Sequence, residues 1–172
     1  PDPESLVSLD LQVDEMADAD LVPVEYRWDA DTDIRCARLR PTGVAEGLSG
    51  SLDVEGRDGA WLTFELRAGR LAAIEVAVWP EVRTRKTLAV PEPSGTARLR
   101  VPARALGEDA LEVDTAIQAV ADEAERTIHF RIGPQRPVRV LRVAQDLLVE
   151  VDARSQLGGL WLLNVPPFPA PQ

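Results

Sequence analysis

Three times along this chain, a run of alternating apolar residues passes through a polar turn into leucine, two small or apolar residues, a branched aliphatic and a large side chain. The closing segments are Leu21-Val22-Pro23-Val24-Glu25, Leu71-Ala72-Ala73-Ile74-Glu75 and Leu157-Gly158-Gly159-Leu160-Trp161. They follow Leu9-Asp10-Leu11-Gln12-Val13, Leu62-Thr63-Phe64-Glu65-Leu66 and Leu147-Leu148-Val149-Glu150-Val151. Each copy reads as a β-hairpin with one buried face. A two-stranded hairpin is marginal on its own, so the copies must share a core.

Period two dominates the remaining segments as well. Val22, Val24, Tyr26 and Trp28 alternate with Pro23, Glu25 and Arg27, while Ile74, Val76 and Val78 alternate with Glu75, Ala77 and Trp79. Ala97, Leu99 and Val101 behave likewise, as do Ile128, Phe130 and Ile132 against Thr127, His129 and Arg131. Half-buried antiparallel strands give this signature, whereas parallel ones are apolar on both sides. Pro23 has no N–H for a ladder bond and pushes its strand toward a sheet edge. Turn chemistry separates the runs, as in Asp29-Ala30-Asp31-Thr32-Asp33, Gly56-Arg57-Asp58-Gly59 and Asp152-Ala153-Arg154-Ser155.

One stretch reads two ways. Between Asp114 and Arg126, Ile117, Val120, Ala121 and Ala124 have helical spacing, with Asp114 or Thr115 as a cap. The same residues also read as a strand to Val120, a turn through Asp122-Glu123-Ala124-Glu125 and a return strand from Thr127. Taken alone, the spacing favours the helix; the repeat favours the hairpin. The fold expected is therefore all-β, with antiparallel hairpins in two pseudo-repeated halves, a sandwich or partly open barrel, and little or no helix. As a single compact domain, the 172 residues divide into repeats 5–90 and 106–165, a junction over 91–105 and a Pro-rich tail over 166–172.

Charge is unevenly placed. The net charge is −10, and residues 1–34 hold eleven acids against the single base Arg27, while the remainder carries eighteen of each sign. An acidic N-terminal hairpin lying near arginines or in solvent accounts for this distribution; an acidic face that recruits a basic partner accounts for it functionally. The overall field disfavours nucleic acid. No apolar run reaches the ~18 residues of a membrane span. Cys36 is the only cysteine, which excludes an internal disulfide and is compatible with a reduced, cytoplasmic setting. A chain starting at Pro1 is consistent with a removed leader or a larger parent, and leaves the compartment open.

The repeat unit extends backwards. The segment Trp28 to Leu39 stands before the second hairpin and Ala121 to Ile132 before the third, each with clustered acids at a turn and then a strand. Together with the hairpins Trp61 to Val78 and Leu147 to Val165, these segments resemble a small bacterial domain-of-unknown-function family, number 2283. The resemblance covers roughly 28–79 and 120–163 and departs from the family pattern at Trp161, where the other copies have Glu25 and Glu75, and at residues 43–60, which read as an insertion. It implies a compact β fold of tandem hairpins and brings no activity or catalytic residue with it.

Motifs that carry chemistry are incomplete. Asp29, Asp31 and Asp33 have the opening spacing of a calcium loop, but Ile34 replaces the glycine and Arg40 the closing glutamate, so they read as an acidic turn. Gly47-Leu48-Ser49-Gly50-Ser51 lacks the closing glycine of a nucleophile elbow. His129 falls on the arginine-bearing side of its strand and reads as a surface histidine. Gly158-Gly159, inside a strand, points to close packing or a bulge. No catalytic residue, cofactor or metal is expected.

The leading functional expectation is a non-enzymatic protein-interaction or self-associating module that uses a strand edge or an acidic N-terminal face. Its candidate patch is Glu25, Asp29, Asp31, Asp33, Glu75, Trp61 and Trp79. The alternative is a small-ligand or carbohydrate-binding or hydrolysing domain that uses exposed tryptophans and carboxylates, which requires at least two open indoles.

Overall fold

The computed structural model describes residues 12–16, 23–29, 31, 34–39, 50–56, 59–67, 70–100, 111–154 and 156–166. Asp33, most of the acidic N-terminal segment, the end of the junction and the tail from Pro167 lie outside the described residues.

The protein is all-β. In chain order the strands are β1 (Gln12–Met16), β2 (Val24–Asp29), β3 (Ile34–Leu39), β4 (Gly50–Gly56), β5 (Trp61–Arg67), β6 (Arg70–Val78) and β7 (Val82–Arg85). There follow β8 (Gly95–Arg100), β9 (Leu111–Thr115), β10 (Ile117–Asp122), β11 (Ile128–Ile132), β12 (Val138–Ala144), β13 (Leu147–Asp152) and β14 (Leu157–Leu162).

Hydrogen bonds join these strands into one path that divides into two sheets. The first sheet runs β2-β3-β6-β5-β4-β9, and the second β7-β10-β11-β14-β13-β12-β8, with β1 added on β8. The sheets are linked at the single pair Arg70↔Arg100 between β6 and β8. The path ends β7 and β9 do not pair with each other, so no barrel closes.

Most pairings are antiparallel, as the alternation predicts. The three parallel ones, β4 with β9, β10 with β7 and β12 with β8, all add a strand at the flank of an antiparallel unit. Those units share an order. β2-β3-β6-β5-β4 and β10-β11-β14-β13-β12 each place their strands first, second, fifth, fourth, third, and each then takes a parallel strand from residues 95–115.

The stretch with two readings is extended. β9 pairs with β4, Ala116 intervenes, and β10 pairs with β7 and β11 before the turn at 123–127. Burial alternates along β10: Ile117, Ala119 and Ala121 are inside and Gln118 is exposed. Ala119 and Ala121 are small inward residues of the strand, and Ala124, part of the helical spacing, is exposed in the turn. Asp122 fastens the turn, since its Oδ1 accepts from the backbone N–H of Arg126 at 2.8 Å and of Thr127 at 3.3 Å. Asp29 does the same in the turn after β2, accepting from the N–H of Asp31 at 2.9 Å.

The first copy of the opening pattern folds differently from a hairpin. β1 pairs with β8 and β2 pairs with β3, so the two arms over 9–25 do not face each other. The strand from Val24 is the opening strand of its unit, at the sheet edge to which Pro23 points; among the described residues it pairs only with β3.

One core lies between the sheets. Val54, Leu62, Phe64 and Ile74 of the first meet Ile128, Phe130, Leu141 and Leu147 of the second in a single buried cluster. The layers are stitched by chain as well as by packing. Residues 79–81 carry the chain from β6 in the first sheet to β7 in the second, and Ala116 carries it from β9 to β10. Tyr26 adds a polar tie, its hydroxyl donating to the Leu163 carbonyl at 2.8 Å. Burial and the nearby Asp146 carboxylate push the Tyr26 phenol well above its ordinary pKa, so this hydroxyl stays a donor.

Candidate functional site

With one face of each sheet in the core, the charged rows of the described strands lie on the two outer faces, while Tyr26 and Arg35 face inward and line a small, mostly apolar pocket with Trp79. On the first sheet the outward positions of β2, β3, β6, β5 and β4 follow from register. Arg27, Cys36, Glu75, Thr63 and Asp53 form one cross-strand row, and Glu25, Arg38, Ala73, Glu65 and Ser51 the next. Among the described side chains this face is acidic: Glu25, Asp29, Asp53, Glu55, Glu65 and Glu75 share it with two bases, Arg27 and Arg38.

Glu25, Asp29, Glu55 and Glu65 are exposed, whereas Asp53 and Glu75 are half-buried. Arg27 engages Glu25 along the same strand at 3.0 Å, an exposed pair with little bearing on stability. Thr63 donates to Asp53 at 2.9 Å and holds that carboxylate across the ladder. Cys36 sits half-buried in this row. Burial pushes its thiol upward, Arg38 pulls the other way, and Glu75 and Glu65 raise it further, so it is a poor nucleophile.

The second sheet presents a different outer face, with a fastened cluster at its centre. Register places His129 opposite Trp161, and Glu150 opposite Gly159. His129 Nε2 lies 2.8 Å from Glu150 Oε1, the Trp161 indole N–H donates to Glu150 Oε2 at 3.3 Å, and the imidazole stacks on the indole with centroids 4.3 Å apart. Strand β14 runs between the strands that carry His129 and Glu150.

Glu150 crosses β14 where Gly159 has no side chain. A Cβ at Gly159 would collide with Glu150 Oε1 and stand 2.7 Å from the Phe130 carbonyl. Gly158, next to it, falls where the register of β13 and β14 shifts between Glu150 and Val151. The glycine pair therefore supplies both a bulge and a close approach. Both carboxylate oxygens of Glu150 are engaged from within the fold, so the trio acts as a fastening.

A second carboxylate on this face is also internal. Asp152 accepts from Arg136 Nε at 2.8 Å and from the backbone N–H groups of Arg154 at 2.9 Å and Gln156 at 3.0 Å. Burial raises this carboxyl, but the Gln156 amide, Arg136 and the Arg154 amide outweigh burial and hold it below the usual carboxylate range. Arg83 and Arg85 are exposed along β7, and Arg131 and Arg142 are half-buried on the same side of the sheet.

The predicted patch is split by this arrangement. Glu25, Asp29 and Glu75 share the outer face of the first sheet with the half-buried Trp61, and Asp31 is exposed in the turn beyond Asp29. Trp79, expected beside Trp61, is turned the other way. The register between β5 and β6 shifts at Trp61/Leu62, which inverts the alternation; Val78 is left 48% exposed and Trp79 packs on the core, 5.7 Å from the Phe130 ring and under the Arg35 guanidinium. None of the four indoles is exposed: Trp161 is buried, and Trp28, Trp61 and Trp79 are half-buried. They do not form an open stacking platform.

His129, read from alternation as a surface residue, is only 19% exposed at its side chain. Its partners Glu150 and Trp161 were missed because the link depends on cross-strand register. The paired glycines were the available signal. Among the described residues no group of three His, Cys, Asp or Glu side chains is arranged to hold a metal ion, and no helix is long and apolar enough to cross a membrane. No protein-family model matches the chain, and no curated protein matches it.

Proposed function

We propose that this protein is a non-enzymatic interaction module whose binding surface is the acidic outer face of the first sheet. The observation that carries this reading is the gathering of Glu25, Asp29, Asp53, Glu55, Glu65 and Glu75 on one face where, among the described side chains, Arg27 and Arg38 are the bases. A rigid sheet presents such charges at fixed spacing, and a partner rich in lysine or arginine gains encounter rate and register from them. The net charge of −10 adds long-range attraction for the same class of partner. The common strand order of the two units supports reading them as divergent copies of one ancestral unit, in keeping with the resemblance to family 2283.

An oligoarginine peptide serves as the probe in isothermal titration. Binding is expected at low ionic strength, weakening as salt screens the face, with a loss of about tenfold in E25K/E55K/E65K. Equal binding by that variant and the wild type would refute the assignment.

A further inference from the structure

We propose that the partner of this acidic face is a second copy of the same chain, docked through the exposed β7 margin of its second sheet. The inference rests on the reading above and adds the identity of the occupant. It is motivated by charge complementarity between two faces of one molecule.

Among the described outward-facing residues of β10 to β14, the acids are engaged from within. Glu150 is held by His129 and Trp161, Asp152 by Arg136 and two turn amides, and Asp122 by the N–H groups of Arg126 and Thr127. Arg131 donates to the Gln118 side chain and Arg142 to the Gln145 carbonyl at 2.8 Å, so these two half-buried arginines are held from within as well. Arg83 and Arg85, exposed on β7, make the outward-facing basic margin of this face. Among the described residues β7 pairs only with β10, so its other backbone edge adds unpaired groups to the basic margin.

The geometry follows from the sandwich. The two outer faces point in opposite directions because the inner faces share one core. Docking the acidic face of one copy on the basic β7 margin of the next is a heterologous contact, using a different patch on each partner. Each end of the resulting row keeps one unused face, so growth is open unless the rotation between copies closes a ring. The negative net charge opposes assembly at long range, but at physiological salt it is screened beyond about 8 Å while facing side chains are not.

Sedimentation velocity over a concentration series tests this with two variants of the whole chain, E25K/E55K/E65K and R83E/R85E. The wild type is expected to form concentration-dependent larger species at about 0.15 M salt and to sediment as a monomer at about 0.5 M. Each variant alone repels itself and is expected to associate about tenfold more weakly or worse, while an equimolar mixture regains association because each variant keeps the patch the other has lost and the two altered patches are also opposite in sign. A wild type that stays monomeric throughout, or a mixture no larger than its components, overturns the proposal.

Oligoarginine binding separates the two levels. A monomer that still binds the peptide through Glu25, Glu55 and Glu65 loses the self-docking inference and keeps the acidic-face reading. If a reversal variant lacks the β-sheet circular dichroism of the wild type, E25Q/E55Q/E65Q and R83Q/R85Q replace the pair. Unchanged association in both neutral variants would equally overturn the proposal.

Discussion

At the scale of single residues, Gly159 is where sequence and geometry are most tightly coupled. The absence of a side chain there lets Glu150 cross β14 to His129 and Trp161. G159A is expected to cost about 1–3 kcal/mol in urea unfolding, because both the carboxylate and a backbone carbonyl stand in the way of the methyl group. E150A leaves the indole N–H and the imidazole without their acceptor and should cost a similar amount, about 1–3 kcal/mol, whereas E150Q, which keeps an acceptor oxygen, should cost less.

Asp152 gives the pH dependence. Its folded carboxyl lies below the usual carboxylate range, so the native state binds fewer protons than the unfolded one. The stability it contributes is complete above the ordinary aspartate value of about 3.9 and is lost as pH falls through that value toward the folded one. D152N should therefore be less stable at neutral pH and show a flatter decline between about pH 5 and pH 2, measured as the urea midpoint at each pH.

Residue parity was legible over most strands and failed at bulges. Trp79 shows why: alternation through Ile74 and Val76 predicts it outside, but the register shift opposite Trp61 inverts the side on which the last residues fall. A bulge depends on the partner strand, and β6 has no glycine between Val76 and Trp79 to mark it, unlike the Gly158-Gly159 pair of β14.

At the scale of elements, the segment from Asp114 to Arg126 separates local preference from context. Its alanines and its i, i+3 and i+4 apolar spacing suit a helix, yet β10 is held on both sides, by β7 and β11. The corresponding acidic turn and strand at 28–39 pointed to the extended form, so comparison within the chain was more informative than periodicity. The first copy of the opening pattern shows the limit of that comparison. Sequence neighbours do not have to pair, and β1 finds β8, with Met16 opposite Thr96 and Gln12 opposite Arg100.

Tyr26 binds the edge strand β2 to the segment after β14, with 137 residues between donor and acceptor. Y26F removes that hydroxyl while keeping the ring against the core, and should cost about 1 kcal/mol, read as a lowered thermal midpoint. A loss near zero would mean that packing alone holds the two layers at this edge.

At the scale of the whole molecule, the all-β class and hairpin composition were legible because alternation and turn chemistry are local. The division of charge between two outer faces was not. It requires knowing that β2 to β6 build one layer and β10 to β14 the other, and which residues of each face the core. The acids of the first sheet come from strands separated by dozens of residues, so a linear count located the surplus only in the N-terminal fifth. His129, the arginines of β7 and the carboxylates of β13 likewise acquire their roles from strand order.

The central claim is that the acidic outer face of the first sheet is the binding surface. Its most direct test is to titrate isotopically labelled protein with the oligoarginine peptide and map the amide shifts by nuclear magnetic resonance. The account predicts changes concentrated around Glu25, Glu55, Glu65 and their neighbours on β2 to β6, diminishing with added salt. Changes confined to the outer face of the second sheet, or spread evenly over both sheets, would contradict it.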